Sequence, residues 1–236
     1  MIDLNKIEKR KNSVIDLKKQ SGLGADSKAQ VVLALDFSGS MSSLYSNGVV
    51  QEVVEKILPF GLAFDDNGEV DFYLFENGSK KLPENITIKN LDGYINKKVL
   101  GKYSMGGTNY APVLKDIYKD FTSSSKGLFG GVKVKAMDAP VYVIFVTDGD
   151  NFDKKETEEV IKKLSSEGFF IQFIGIGNAG FSFLEKLDDL PGRTLDNVNF
   201  FRVDNISTYS DDKLYSGLMN EYPTWVKEAQ NINLIK

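Results

Sequence analysis

The chain has 236 residues, 42% of them hydrophobic and 26% charged, the proportions of a globular protein with a core of its own. It contains no cysteine and no histidine, which excludes disulfide staples, thiolate or imidazole metal sites, cysteine nucleophiles and the Ser-His-Asp triad. With 29 basic against 33 acidic residues the net charge is −4, and only Arg10, Arg193 and Arg202 carry guanidinium groups, so a nucleic-acid partner is not expected.

Residues 1–28 form a charged lead-in, read as a loosely packed extension; its first 20 residues lack an apolar core segment, so no signal peptide is expected. Val31–Leu35 predicts a buried strand, followed by a helix over 49–63 with Val50, Val53, Val54, Ile57 and Leu58 on one face. Asp65-Asp66-Asn67-Gly68 predicts a turn, 70–75 a strand, and 80–82 a short strand beside it. A short helix is expected over 90–100, with Gly93 as a weak point, and a further helix over 111–121. Residues 122–139, rich in serine and glycine, read as a flexible insertion at the amino edge of the sheet. The β-branched run 141–146 is the clearest strand, and Asp153 with Glu156 predicts a capping box for a helix ending near Gly168. Strand 169–176, helix 183–190, strand 198–203 and one helix over 211–229 complete the alternation.

Such alternation predicts an α/β fold: a doubly wound, mostly parallel central sheet flanked by helices. No stretch approaches 18 uninterrupted apolar residues, so no membrane span is expected, and a cytoplasmic protein is the default.

Ligands of open α/β sheets sit beyond the carboxyl ends of the strands. Two predicted strands end in aspartate, as Asp36-Phe37-Ser38-Gly39-Ser40 and as Thr147-Asp148-Gly149-Asp150. In an extended loop alternate side chains point the same way, so Asp36, Ser38 and Ser40 can present three oxygens to one point, and Asp148 can add a second carboxylate. Ser104-Met105-Gly106-Gly107-Thr108-Asn109 places a hydroxyl just before a helix, after glycines that let the backbone come close. An all-oxygen set of this kind suits Mg²⁺, with Mn²⁺ or Ca²⁺ as alternatives, and leaves an electrophilic position for an outside carboxylate. Asp36 and Ser38 acting only as cap and turn residues is the simpler alternative.

On these residues the chain resembles a von Willebrand factor A (integrin I-like) domain: Asp36-x-Ser38-x-Ser40, Thr108 and Asp148 match the three loops of that family's metal-ion-dependent adhesion site (MIDAS). The resemblance implies a metal-dependent, non-enzymatic protein-binding module over residues 29–236, with a Glu or Asp of a protein partner completing the metal shell. The chain is also similar to bacterial and phage A domains of tellurite-resistance and stress-response clusters.

Of the flanking residues, Asp150 reads as an outer-shell group or a solvated loop acid, Ser104 as a support for its loop, and Tyr45, Met105 and Tyr110 as an apolar rim or as packing against the sheet. Trp225 reads as a packing anchor. The rival readings are a Mg²⁺-dependent phosphatase or phosphotransferase and a metal-free scaffold of the same fold. Haloacid-dehalogenase-like phosphatases need an aspartate where Ser38 stands, and a P-loop fails because Asn96 replaces its first glycine and Tyr103 follows Lys102. An EF-hand from Asp148 fails because Phe152 and Asp153 occupy a ligand position and the glycine position.

Overall fold

The apolar runs that alternate with helical patterns become six strands in one sheet, of order β3-β2-β1-β4-β5-β6. These are β1 Gln30–Asp36, β2 Asp71–Phe75, β3 Ser79–Lys81, β4 Val141–Thr147, β5 Phe169–Ile176 and β6 Val198–Val203. Every pairing is parallel except that of β2 with the edge strand β3. The computed structural model describes residues 2–65, 67–122 and 137–236. Most of the insertion expected over 122–139 lies outside the described residues.

Because successive strand side chains point to opposite faces, each central strand feeds two cores. Leu33, Leu35, Phe72, Ile144 and Phe170 pack beneath α3 (Val49–Phe64), α8 (Asp211–Leu218) and α9 (Tyr222–Asn231). On the other face Val32, Tyr73, Phe145 and Phe173 pack against α5 (Ala111–Thr122), α6 (Lys154–Leu164) and α7 (Ser182–Asp188). The short helices α2 (Ser42–Ser46) and α4 (Tyr94–Lys98) lie on the α3 face. Among the described residues no helix is long and apolar enough to cross a membrane. Trp225 is buried as an anchor, with its ring 5.5 Å from Phe170.

The lead-in is not loose. Leu4–Gln20 forms α1, capped by Asp3, with Ile7, Arg10, Val14 and Lys18 buried. Those residues recur every three or four positions and form one stripe. The Arg10 guanidinium donates to both carboxylate oxygens of Asp211 at 2.8 and 3.0 Å, tying α1 to the start of α8. The Lys18 ammonium donates to the carbonyls of Ser27 and Ala63 at 2.6 and 2.7 Å. The charged composition concealed this helix, because two of its buried positions are cations whose stems pack while their heads find oxygen.

Three element boundaries differ from expectation. Gly93 adopts φ of 63° and starts α4 at Tyr94, since this left-handed turn cannot sit inside a helix. The last helix is two, because Pro223 fixes the first turn of α9 and cannot continue α8. Helix α6 ends at Leu164, capped by Ser165. Gly168 serves another purpose, for a Cβ there would stand 2.8 Å from the Met137 sulfur and 2.9 Å from Ile235.

Candidate functional site

Strands β1 and β4 lie side by side, with Leu35 opposite Val146. From β1 the chain continues toward β2 on one side, and from β4 toward β5 on the other. The two connections therefore diverge and open a crevice at the carboxyl ends of the central strands. Asp36 closes β1, and Asp148 directly follows β4. The loop before α5 is drawn in by a bridge between Ser38 and Gly106, with Gly39 N–H donating to the Gly106 carbonyl at 3.0 Å. Thr108, two residues on, is thereby carried alongside the first loop and is buried.

Four of the five predicted residues, Asp36, Ser38, Ser40 and Asp148, form a continuous hydrogen-bonded chain, while Thr108 lies buried beside it and enters the bonds only through its carbonyl, which accepts from Phe152 N–H at 2.9 Å. Ser38 N–H donates to Asp36 Oδ1 at 2.8 Å, the Ser38 and Ser40 hydroxyls lie 3.0 Å apart, and the Ser40 hydroxyl donates to Asp148 Oδ1 at 2.8 Å. Asp36 is fully buried. Burial pushes its carboxyl up to about 6; hydrogen bonds from Thr147 and Ser38 oppose the rise, and the Asp148 charge adds to it. Burial also raises Asp148, against its bond from Ser40. Among the described residues no lysine or arginine forms an ion pair with either carboxylate. The buried Asp36 and partly buried Asp148 carboxylates, linked through the Ser38 amide and the neutral Ser38 and Ser40 hydroxyls, form a donor set that fits a hard divalent cation.

Residues outside the predicted set hold these groups. The Thr147 hydroxyl donates to Asp36 Oδ2 at 2.6 Å and lies 3.1 Å from the Tyr110 hydroxyl, which also bonds the Gly149 carbonyl. The Tyr45 hydroxyl donates to the Asp36 carbonyl at 2.8 Å. Tyr45 and Tyr110 are both buried and form no rim. Met105 is partly buried against the α3-side core, and Asp150 pairs with Lys154 at 2.6 Å.

Asp153 makes no side-chain cap on α6. Its carboxylate instead accepts from the Tyr110 and Ala111 amides at 3.0 and 2.8 Å, so it caps α5 and fastens the third loop to the second. A cap was legible in the sequence, but its helix was not, because the choice depends on which amides the fold brings within reach. Glu76 was also missed. Its carboxylate packs against Gly106, where a Cβ would stand 2.1 Å from Oε2, and its carbonyl accepts from Asn109 N–H at 2.7 Å.

Thr147→Val removes the donor to Asp36 and strands a buried oxygen. The expected cost is about 1–3 kcal/mol in metal-free buffer, or roughly 2–4 °C of melting temperature per kcal/mol for a domain of this size. Thermal melts monitored by circular dichroism, with an unchanged folded spectrum, check this.

A doubly wound sheet with helices on both faces and three loops converging beyond β1 and β4 is the architecture of von Willebrand A domains. Residues 28–235 match the family described as the vWA found in the TerF C terminus, and the chain belongs to this TerF-like von Willebrand A family. YcbR of Bacillus subtilis (strain 168) is 36% identical over 211 residues, covering 88% of this chain and 82% of that protein. Proximal thread matrix protein 1 of the mussel byssus shares the fold with a TM-score of 0.61 and 21% identity over 84% of this chain. The chain spans about half of that protein, 49% of its length. Another structure of the mussel protein, with a TM-score of 0.58, 20% identity and coverage of 84% of this chain and 49% of that one, is described as having a zinc-occupied MIDAS motif. A von Willebrand factor type A protein from Catenulispora acidiphila aligns with a TM-score of 0.55 at 15% identity, over 83% of this chain and 42% of that one.

Proposed function

We propose that the crevice beyond β1 and β4 is a MIDAS-type centre, in which Asp36, Ser38, Ser40, Thr108 and Asp148 hold Mg²⁺, or Mn²⁺ or Ca²⁺, and that the domain is a non-enzymatic, cytoplasmic module binding an acidic side chain of a protein partner. The observation carrying this reading is the pair of carboxylates, Asp36 and Asp148, joined through the Ser38 amide and the Ser38 and Ser40 hydroxyls with no described basic side chain ion-paired to them. The bound ion would supply an electrophilic position for one outside carboxylate oxygen. Asp36 and Asp148 offset its charge, while the neutral hydroxyls donate weakly and leave it attractive to a further anion. Thr147, Tyr45, Tyr110 and Asp153 fix the three loops relative to one another. The zinc-occupied MIDAS described for the mussel protein supports the assignment of the site, and membership of the TerF-like family supports a role in a tellurite-resistance or stress-response type of system.

The site is tested by titrating isotopically labelled protein with Mn²⁺, whose unpaired electrons broaden nearby amide resonances. The expected result is that residues 36–40, 106–109 and 147–149 broaden first, and that EDTA or excess Mg²⁺ restores them. First broadening at another acidic surface overturns the assignment.

A further inference from the structure

Three exposed asparagines are each followed by glycine: Asn47-Gly48, Asn67-Gly68 and Asn77-Gly78. A glycine nitrogen has no Cβ beside it to shield it from the side-chain amide of the preceding residue, so each pair has the composition for ring closure onto the backbone. The fold treats the three pairs differently.

The first pair is fixed between α2 and α3: Asn47 N–H donates to the Ser43 carbonyl at 3.0 Å and Gly48 N–H to the Tyr45 carbonyl at 3.2 Å. In the second pair the side chain is engaged, because Asn67 Oδ1 accepts from Glu69 N–H at 2.7 Å. Asn77 differs on both counts. It stands at the tip of the three-residue connection from β2 to the edge strand β3, and all its described hydrogen bonds run through its main chain.

The nitrogen that would attack is also prepared. Gly78 N–H donates to the Glu76 carboxylate at 3.2 Å. Glu76 is itself held, since its other carboxylate oxygen accepts from Asn77 N–H and its own N–H donates to the Gly78 carbonyl at 3.0 Å. A carboxylate placed on the proton of the attacking nitrogen is in the position of a general base.

We propose that Asn77 is a self-modification site, at which the Gly78 nitrogen attacks the Asn77 side-chain carbonyl carbon with Glu76 as the base. The bond from Gly78 N to Asn77 Cγ forms, the Cγ–Nδ2 bond breaks, and ammonia leaves with the proton that Glu76 took from Gly78. Water then opens the cyclic imide at either carbonyl, giving aspartate or isoaspartate, so one water is consumed for each ammonia released. The product stands against the crevice. A Cβ on Gly107 would lie 2.5 Å from Asn77 Oδ1, and the Asn77 carbonyl accepts from Asn109 Nδ2 at 3.0 Å. The reaction therefore sets a new negative charge beside the second loop, and its isoaspartate form adds a carbon to the main chain there. It needs no other enzyme, so it changes this edge of the crevice with the age of the molecule, whatever the crevice binds.

The test incubates the full chain at neutral pH and physiological temperature and follows the one-dalton gain at each asparagine by mass spectrometry of a protease digest. The expected result is that Asn77 reacts about tenfold or more faster than Asn47 and Asn67 in the folded protein, yielding separable aspartate and isoaspartate peptides. In denaturing urea the three react alike. Glu76→Gln, which keeps a side-chain acceptor but no charge, slows Asn77 by about tenfold with an unchanged circular dichroism spectrum. Gly78→Ala slows it too, and its Cβ would meet nothing nearer than Glu76 Oε1 at 3.7 Å. Asn47 or Asn67 reacting as fast as Asn77 in the folded protein, or a wild-type rate in folded Glu76→Gln, overturns the inference. A preference for Asn77 that persists in urea also overturns it, and this comparison stands whether or not a variant folds.

Discussion

Millimolar Mg²⁺ is expected to raise the melting midpoint of the wild-type protein by about 5–10 °C, and to leave the Asp36→Asn, Asp148→Asn double variant unmoved. Ligand at a hundred times its dissociation constant stabilises a fold by about 2.7 kcal/mol, and a domain of this size shifts by roughly 2–4 °C per kcal/mol. The substitutions keep shape and remove only the charges that hold a cation, so the variant's metal-free midpoint stays within a few degrees of wild type. The pH dependence follows from Asp36, whose carboxyl burial raises to about 6 from an ordinary value of 3.8. A group raised in the folded state favours the metal-free fold below its unfolded value, and that contribution is lost as pH rises through about 6. Metal needs the ionised form, so the Mg²⁺-induced shift is expected to be small at pH 5 and full at pH 7.5. A shift of equal size in the double variant, or none in wild type at millimolar Mg²⁺ and neutral pH, would falsify the assignment.

Val14→Asp in α1 is expected to lower the midpoint by about 10 °C, while Asn12→Asp, which adds the same charge to an exposed position of the same helix, moves it by no more than a degree or two. Val14 is fully buried between neighbours that include Ile7 and the α3 surface. A buried unpaired carboxylate costs at least several kcal/mol, or forces the helix to detach. Detachment exposes Ile7 and leaves Lys18 without the Ser27 and Ala63 carbonyls. A lead-in lying loosely on the surface would respond alike to both substitutions, so equal small shifts would show that α1 is dispensable to the fold. The metal response of folded Val14→Asp at low temperature should match wild type, because no α1 residue takes part in the hydrogen-bonded chain from Asp36 to Asp148.

Strand existence and order of elements were legible in the sequence because they depend on local patterns. The runs 141–146 and 169–176 are apolar enough to be buried on both faces, and only a parallel sheet covered by helices buries them so. The candidate oxygens that the structure brings together, those of Asp36, Ser38, Ser40 and Asp148, were legible for a related reason: each stands in a short motif at a strand end, and strand ends of a doubly wound sheet converge. Contacts between distant segments were not legible. Arg10 and Lys18 read as surface charge until Asp211 and the Ser27 and Ala63 carbonyls come within reach. Asp153 reads as the cap of its own helix until Tyr110 and Ala111 present their amides to it. Tyr45 and Tyr110 read equally as rim or core, and only the packed loops turn their hydroxyls inward to Asp36, Thr147 and Gly149. Periodicity and local motif chemistry thus determined the sheet and the candidate oxygens, because both act over a few neighbouring residues. Which charges are buried, which carboxylate caps which helix and which aromatic ring faces water were decided by the tertiary structure, because each depends on partners tens to hundreds of residues away.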